Sequence, residues 1–328
     1  MAQVLEVDLP RYESGDAGER RAVTDGVMRS LETGFVYARH GLPADLLDCA
    51  YEMLAQFFHM PREVKGRYVV PDSMGQTGYT GTLVETAAKS ALPDWKEMLN
   101  WGVELPDGHP LRRRFPHRYK ERRLPEDEVP GIGEALGTLH SRLLDLQRRF
   151  LRVVANGLGC GSGYFDGMLR NGPTLSRAIR YPPMTDAPSR GHVWADEHRD
   201  INLTTALPRA TARGLQIKTA DGWVDAVAPE GFAILNTGMM LERVTNGRIH
   251  AGVHRVVGEA GSSGERLSVV QFCHPTPWTV LAPIPTCIGP DRPPRHAPLT
   301  AGDWLDQVLY DINMVETARA PSTSPGYS

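Results

Sequence analysis

The spacing of apolar residues predicts helices in the first half of the chain and strands in the second. Between residues 18 and 65, apolar side chains recur every three or four positions, which is the period of an amphipathic helix. Residues 73–120 have no clear period and are rich in Gly, Pro and charged residues. The longest helical pattern covers residues 133–159, where an apolar stripe continues until Gly157 and Gly159 end it.

After Leu175 the pattern changes to short apolar runs separated by Gly, Pro and Asp. Such runs are typical of successive strands in a β-sandwich or jelly roll. They read RAIRYPP, NLTTALP, GLQIKT, GWVDAVA, GFAILNT, GVHRVVG and RLSVVQFCHP. The sequence therefore predicts a mainly β fold with α-helices, in which a jelly-roll core is buttressed by the long helix and by an N-terminal helical region.

The length and apolar content of the chain are sufficient for a substantial core. It has 328 residues, of which 41% are hydrophobic. We divide the sequence into an N-terminal region (1–120), a jelly-roll core with supporting and C-terminal helices (121–316), and a polar tail (317–328). The composition of the tail predicts disorder.

Charge and cysteine content exclude several classes of protein. With 36 basic and 39 acidic residues the net charge is −3, which argues against nucleic acid as the main partner. The basic stretch at 112–123 is interpreted as a solvated surface. No apolar run approaches membrane-spanning length, and the N-terminus lacks the features of a signal peptide. Four scattered cysteines without a C-x-x-C motif predict reduced thiols and a cytoplasmic location. Nothing in the sequence indicates an oligomeric state.

Candidate metal ligands lie in the β-rich half. His198 and Asp200 are two residues apart, so on a strand they would share a face, and His254 on a later apolar run can supply a second imidazole. Two histidines and one carboxylate on one side of a metal form the facial triad of non-heme Fe(II) oxygenases. A lone H-x-D tripeptide is more typical of a surface turn. Further on, Arg266 and Ser268 share another strand face and could bind a carboxylate.

The motifs around these residues occur in a characteristic order, which is H-x-D, GLQ, G-W, N-x-G, T-N-G, H-R-V and R-x-S between residues 198 and 268. This order resembles the core of the isopenicillin-N-synthase-like Fe(II)/2-oxoglutarate oxygenases. Other segments also match that family, namely LEVDLP, GFVYARHGLP, FFHMPREVK, DWKEML, AIRYPP and HAPLTAGDWLDQVLYD. The resemblance therefore covers nearly the whole chain.

The resemblance implies a set of binding residues. Fe(II) would be bound by His198, Asp200 and His254. The distal carboxylate of 2-oxoglutarate would be bound by Tyr181, Arg266 and Ser268. The family has an asparagine two positions before the tyrosine, and Ile179 stands there in this chain, so one polar contact to the co-substrate is missing or replaced.

The resemblance also implies the reaction. Oxidative decarboxylation of 2-oxoglutarate to succinate and CO₂, with O₂, would be coupled to hydroxylation, oxidative cyclisation or desaturation of a small molecule. Ascorbate is an expected activator. Asp200 favours oxygenation over halogenation, because related halogenases have a small residue at that position. Only five of the 36 basic residues are lysine, which suggests a GC-rich, bacterial genome and a role in tailoring specialised metabolites such as antibiotics.

Four further residues are candidate substrate contacts. Phe272 and His274 follow the R-x-S motif with the same strand parity as Arg266, so we expect them to point into the same barrel interior. Tyr79 and Trp194 are additional candidates, although each aromatic residue could equally belong to the core.

Two alternatives remain open at this point. A 2-oxoglutarate-independent Fe(II) oxidase of the same fold would use Arg266 and Ser268 for its substrate's own carboxylate. A cupin-like protein that only binds metal and ligand, or a zinc hydrolase, would lack O₂ chemistry altogether. Release of succinate upon turnover separates the first alternative from the leading interpretation, and consumption of O₂ with Fe(II) separates the second.

Overall fold

The structure is a computed structural model that describes residues 3–86, 92–189, 191–258 and 262–311. The helices of these ranges are α1 (Leu9–Ser14), α2 (Ala17–Ser30), α3 (Ala44–Phe58), α4 (Arg62–Gly66), α5 (Pro110–Arg114), α6 (Ile132–Leu158), α7 (Asp166–Leu169), α8 (Met239–Val244) and α9 (Ala301–Asp311). The strands are β1 (Glu6–Asp8), β2 (Phe35–Arg39), β3 (Gly78–Thr80), β4 (Glu97–Gly102), β5 (Leu175–Tyr181), β6 (Ala195–Arg199), β7 (Thr204–Leu207), β8 (Leu215–Thr219), β9 (Gly222–Asp225), β10 (Phe232–Thr237), β11 (Val253–Val256) and β12 (Arg266–Cys273). The predicted tail, 317–328, lies outside the described residues.

The strands form two sheets. The large sheet has the order β1-β2-β10-β7-β12-β5-β4-β3, and the small sheet has the order β6-β11-β8-β9. The β1–β2 pair is parallel, and the other pairs are antiparallel. One apolar cluster contains residues from both sheets, among them Phe35, Ile179, Ile234, Leu215, Ile217 and Val256. The sheets therefore enclose a shared interior, and the predicted jelly-roll fold class is confirmed.

The long helix α6 buttresses the large sheet from its other side, as predicted. Its pattern ends at Gly159, which adopts the left-handed conformation (φ 73°) that favours glycine. The buried side of α6 packs against α2, α3, β7 and β12. Trp101 of β4 also donates its indole N–H to the carbonyl of Leu136, at 3.1 Å.

The segment 73–120, which lacks a periodic pattern, contains two strands. β3 and β4 extend the large sheet beyond β5. All but the last residue of β4 is buried, so the polar–apolar alternation that marks a half-exposed strand is absent from its sequence. Together with β1 and β2, these strands mean that residues 1–120 and the later strands build one continuous sheet.

No helix within the described ranges is long and apolar enough to cross a membrane. The four cysteines, Cys49, Cys160, Cys273 and Cys287, are all free thiols.

A buried amide joins α6 to the large sheet. The Gln147 side chain is fully buried, and its Nε2 donates to the Gln271 side-chain oxygen at 3.0 Å. Its Oε1 accepts a hydrogen bond from the Thr204 hydroxyl at 2.8 Å. Since Gln271 and Thr204 lie on β12 and β7, this one side chain fixes the helix over two central strands.

Replacing Gln147 with methionine should lower the free energy of unfolding by about 1–3 kcal/mol. The volume is nearly conserved, but the Thr204 hydroxyl and the Gln271 amide each lose a partner in a dry environment. Urea unfolding measures the change. The matched control is Gln56→Met on the exposed face of α3, and equal stability of the two variants would contradict the prediction.

Candidate metal centre and adjoining cavities

The pairing of two short strands brings the two candidate histidines together. β6 and β11 are antiparallel neighbours, and His254 stands directly opposite His198 in their register. The centroids of the two imidazole rings are 4.3 Å apart. This proximity could not be read from residues that are 56 positions apart in the sequence.

Asp200 completes the cluster from the position just after β6. Its Oδ1 lies 3.9 Å from Nε2 of His198 and 3.9 Å from Nε2 of His254. Its Oδ2 accepts hydrogen bonds from the Thr205 hydroxyl at 2.6 Å and from the Asn236 amide at 2.8 Å. The carboxylate is therefore held by one oxygen while the other remains directed at the imidazoles.

Each histidine is likewise held by one of its two ring nitrogens. Nδ1 of His198 lies 2.7 Å from the carbonyl oxygen of Asp196, and Nδ1 of His254 lies 3.4 Å from that of Gly252. A proton on each Nδ1 leaves the Nε2 lone pair free. The three potential ligand atoms all lie within 4.8 Å of one another. Two imidazoles and a carboxylate on one side of a point are the donor set that suits Fe(II) with open positions, so the residues present fit such an ion.

Electrostatics keep these groups in metal-binding form. Burial by itself would raise the pKa of Asp200, but His254, His198 and the two hydrogen bonds outweigh it and hold the pKa below its ordinary value. Burial and the neighbouring His198 lower the pKa of His254 to about 4, against the opposing effect of Asp200. An ionised carboxylate and a neutral imidazole are the forms that coordinate metals.

Gly252, two residues before His254, leaves room for Phe35 to pack beside that histidine. A Cβ atom at Gly252 would lie 2.6 Å from the ring of Phe35, so a larger residue would collide with that ring. Phe35 in turn packs edge-on against the imidazole of His254, with centroids 5.9 Å apart. The close contact between β2 and the segment before β11 thus positions the second histidine.

A small cavity of about 70 Å³ adjoins the cluster and contains the predicted carboxylate-binding residues. Arg266, Ser268 and Tyr181 all line it, together with the three potential metal ligands. The Arg266 guanidinium is 1% exposed, donates to the Ser268 hydroxyl at 2.9 Å, and lies 5.0 Å from the centre of the Tyr181 ring. Within the described part of the chain, no carboxylate lies within ion-pair distance of Arg266. A buried cation without a carboxylate partner favours an anionic ligand.

A larger cavity of about 600 Å³ also adjoins the cluster. His198 and Asp200 form part of its wall, as do Phe272 and His274. Its size falls within the range of about 300–1,000 Å³ that is typical of binding sites for small molecules.

The structure brings two of the four candidate substrate residues to this cavity. Phe272 borders both cavities, and Arg266, Ser268, Val270 and Phe272 line the small one, as their strand parity predicts. His274 lies just beyond β12 and is almost fully buried. Burial, with a contribution from Arg118, lowers its pKa to about 3, so the imidazole is neutral. Its Nδ1 has no hydrogen-bond partner in the described ranges.

The other two candidates are placed elsewhere. Tyr79 is packed edge-on against Phe57, and its hydroxyl donates to Glu97. Trp194 donates its indole N–H to the carbonyl of Pro182 at 2.9 Å. Neither side chain lines either cavity, because each is held by partners in the protein interior.

The larger cavity is also lined by charged residues that the sequence did not single out, among them Glu85, Lys96 and Arg177. Lys96 and Arg177 border the small cavity as well. Arg177 lies on β5, and Glu85 and Lys96 lie between β3 and β4, in segments without a distinctive motif apart from the DWKE stretch that carries Lys96. Only the pairing of β4 with its two neighbours, β3 and β5, shows that these three charged residues lie close together.

Two further histidines near the cluster in sequence are not part of it. Nδ1 of His192 lies 3.0 Å from the carbonyl oxygen of Pro93. His250 is exposed and lies beside Glu242 at 3.3 Å. Each of these two side chains therefore has a partner outside the His-Asp-His cluster.

A jelly roll with a His-Asp-His cluster that adjoins two cavities is typical of a metal-dependent enzyme, and comparisons with known proteins identify the family. Residues 7–126 match the model of the N-terminal region of a non-haem dioxygenase in morphine synthesis, and residues 173–275 match the 2OG-Fe(II) oxygenase superfamily. The chain belongs to this superfamily.

Individual relatives agree with this assignment. Mugineic-acid 3-dioxygenase of Hordeum vulgare is 28% identical over 303 residues, which cover 91% of this chain and 83% of that protein. A 2OG-Fe(II) oxygenase family protein from Caulobacter crescentus is 27% identical, with 95% and 100% of the two chains covered and a TM-score of 0.82. A full-length Neurospora crassa protein, solved in complex with alpha-KG (2-oxoglutarate) and 5-formyluracil, is 25% identical, with 93% and 94% covered and a TM-score of 0.79.

The expected enzyme class is thereby confirmed. The protein is an Fe(II)- and 2-oxoglutarate-dependent dioxygenase, and its cofactors are Fe(II), 2-oxoglutarate and O₂.

Replacing Asn236 with alanine should weaken the binding of Mn(II), used as a redox-stable substitute for Fe(II), by about 10–100-fold. The Asp200 carboxylate would lose one of the two hydrogen bonds that orient it. Calorimetric titration measures the affinity. Asn156→Ala, an exposed asparagine on α6, is the control, and an unchanged affinity of the Asn236 variant would contradict the prediction.

Proposed function

We propose that this enzyme oxidises a small molecule at an iron bound by His198, Asp200 and His254. In this proposal Arg266, Ser268 and Tyr181 bind the distal carboxylate of 2-oxoglutarate in the small cavity. Phe272 and His274 contact the substrate in the larger cavity. The reaction is hydroxylation, oxidative cyclisation or desaturation, in a bacterial pathway that tailors specialised metabolites.

The observation that carries the proposal is the position of the unpaired Arg266 guanidinium relative to the metal-ligand cluster. Both line one small cavity, so a molecule with a carboxylate at one end can reach Arg266 while its other end reaches the cluster. 2-Oxoglutarate has this shape. The negative charge of its distal carboxylate also suits Arg266, because the other two cations that line this cavity, Lys96 and Arg177, already have carboxylate partners.

The chain's own residues supply position and a dry environment. The chemistry that iron contributes when bound is activation of O₂ coupled to decarboxylation of 2-oxoglutarate. Arg266 and Ser268 fix the co-substrate through a planar, charge-assisted contact. Apolar side chains around the small cavity, including Ile179, Ile234 and Val256, limit the access of water.

Substrate contacts are expected on the wall formed by Phe272 and His274. A neutral imidazole carries one donor and one acceptor, and His274 lines the larger cavity, so its ring can contact a polar group of the substrate. Phe272 borders both cavities, so it separates the co-substrate from the substrate.

Substitution of His254 with alanine should abolish 2-oxoglutarate turnover and greatly reduce the affinity for Mn(II), because a facial triad has no spare protein ligand. The measurements are succinate formation with Fe(II) and O₂, and Mn(II) binding by calorimetry. The control is His250→Ala, four residues earlier and exposed, which should behave like the wild type. Wild-type succinate formation by the His254 variant would refute the ligand assignment, and absence of succinate from the wild type would refute the proposed function.

Arg266→Ala should lower the binding free energy of 2-oxoglutarate by about 2–5 kcal/mol, because the carboxylate would be buried without its partner. Arg266→Lys should restore only part of the loss, since an ammonium lacks the planar fork. Titration of 2-oxoglutarate into the anaerobic Fe(II) protein measures both changes, with Arg39→Lys, an exposed residue at the end of β2, as the control. If 2-oxoglutarate binds the Arg266→Ala variant as tightly as the wild type, Arg266 serves another ligand.

A further inference from the structure

One wall of the larger cavity is a chain of alternating charges. The ammonium of Lys96 lies 3.1 Å from the Glu85 carboxylate and 2.8 Å from the Asp94 carboxylate. The guanidinium of Arg177 lies 3.3 Å from the carboxylate of Glu85, which therefore contacts both cations. These four residues, called the charged wall below, all line the cavity. Two cations and two carboxylates make the wall neutral.

The neutrality of the charged wall is robust near physiological pH. Burial opposes ionisation of Glu85, but Arg177 and Lys96 outweigh it and lower the pKa of that carboxyl to about 2. Burial also opposes the charge on Lys96, yet Glu85 and Asp94 raise its pKa above the ordinary value. The two carboxylates of the charged wall are therefore already paired with its two cations, Lys96 and Arg177.

Hydrogen-bond donors remain free on this wall. An ammonium has three N–H groups, and the carboxylates of Glu85 and Asp94 take two from Lys96. Arg177 has five N–H groups; Nε donates to Asn100 at 2.7 Å, and the terminal nitrogens donate to Glu85 at 3.4 Å and to the Gly75 carbonyl at 3.3 Å. One donor on Lys96 and two on Arg177 have no partner among the described residues. The charged wall can therefore donate further hydrogen bonds to a ligand that has an acceptor atom.

The arginine is held in a fixed orientation. Its guanidinium carbon lies 5.5 Å from the centre of the Phe272 ring, and its Nε is bonded to Asn100 of the neighbouring strand. Because its side chain is mostly buried, the free N–H groups of Arg177 present a preorganised contact.

Much of the remaining lining is hydrocarbon. Helix α9 contributes three buried side chains, Leu305, Val308 and Leu309. Met74, Leu175, Ile201, Met239 and Val253 add further apolar surface. A ligand that fills the cavity would therefore bury an apolar body in addition to its polar contact.

From these observations we infer that the substrate is an uncharged molecule with a carbonyl-type oxygen, bound by Lys96 and Arg177, and with an apolar body that lies against α9. A carboxylate would also accept the free hydrogen bonds, but it would add an uncompensated negative charge to a wall that is already neutral and buried. A neutral amide, ester or lactone leaves the charges balanced. The inference rests on the proposed function, because it assigns the substrate of the same site.

The first experiment compares neutral and anionic probes on three scaffolds. The pairs are dodecanamide with dodecanoate, cinnamamide with cinnamate, and dihydrocoumarin with its ring-opened hydroxyphenylpropanoate. Binding is read from the perturbation of the visible absorption of the anaerobic Fe(II)–2-oxoglutarate complex, which does not require turnover. We expect at least one neutral probe to bind, and each neutral probe that binds to do so at least about tenfold more tightly than its anion.

The outcomes separate this inference from the proposed function. Equal or tighter binding of the anions, or no binding by any neutral probe, would overturn the inference while leaving the Fe(II)–2-oxoglutarate complex intact. If that complex does not form in the wild type, the proposed function itself fails.

The second experiment tests the donors of Arg177. Arg177→Gln should weaken binding of the preferred neutral probe by about tenfold or more, while the dissociation constant of 2-oxoglutarate changes by less than about twofold. The double variant Arg177→Gln/Glu85→Gln removes one charge of each sign and guards against loss of folding in the single variant. Arg39→Gln, at the exposed end of β2, is the control.

Because Arg177 also borders the small cavity, the co-substrate affinity decides its role. An equal loss of affinity for 2-oxoglutarate and for the probe would assign the guanidinium to the co-substrate and overturn the inference. Unchanged probe binding in both Arg177 variants would also overturn the inference.

Discussion

The antiparallel pairing of β6 with β11 is the constraint on which the candidate metal centre depends. It sets His254 opposite His198, and Asp200 follows where the chain leaves β6. The second oxygen of Asp200 is held by Thr205 and Asn236, which belong to β7 and β10 of the other sheet. The geometry of the cluster therefore depends on both sheets, so a displacement of one relative to the other would move the carboxylate away from the imidazoles.

Buried cations divide the interior into two electrostatic environments. Lys96 and Arg177 have carboxylate partners, and their charges are compensated within the protein. Arg266 is also buried, but it is bonded only to neutral oxygens among the described residues. Leaving a charge buried without a counter-ion is unfavourable, so the folded protein has a built-in preference for an anion beside Arg266. In the larger cavity the charges of Lys96 and Arg177 are compensated, so these residues create no such preference for an anion.

Local patterns predicted most of the fold and singled out the residues of the His-Asp-His cluster, whereas contacts between distant segments could not be predicted. The α6 stripe has a clear period, and seven of the eight strands from β5 to β12 coincide with short apolar runs, β6 being the exception. H-x-D and R-x-S also occur in a recognisable order of motifs. β4 was missed because a strand buried on both faces shows no alternation. Tyr79 and Trp194 are candidate substrate contacts on residue type alone, and aromatic rings suit a core equally well. Glu85 and Arg177, 92 positions apart, are joined only by the folded sheet.

The shared boundary between the cavities gives the charged wall a second consequence. Lys96 and Arg177 line both spaces, so a dianion in the small cavity would attract them away from the larger one. Glu85 and Asp94 oppose that attraction, since their carboxylates lie 2.8–3.3 Å from the two cations. Arg266 has no such restraint and remains available to the co-substrate. The carboxylate pairs thus assign each cation to a cavity, which allows one interior to bind a dianion and an uncharged molecule side by side.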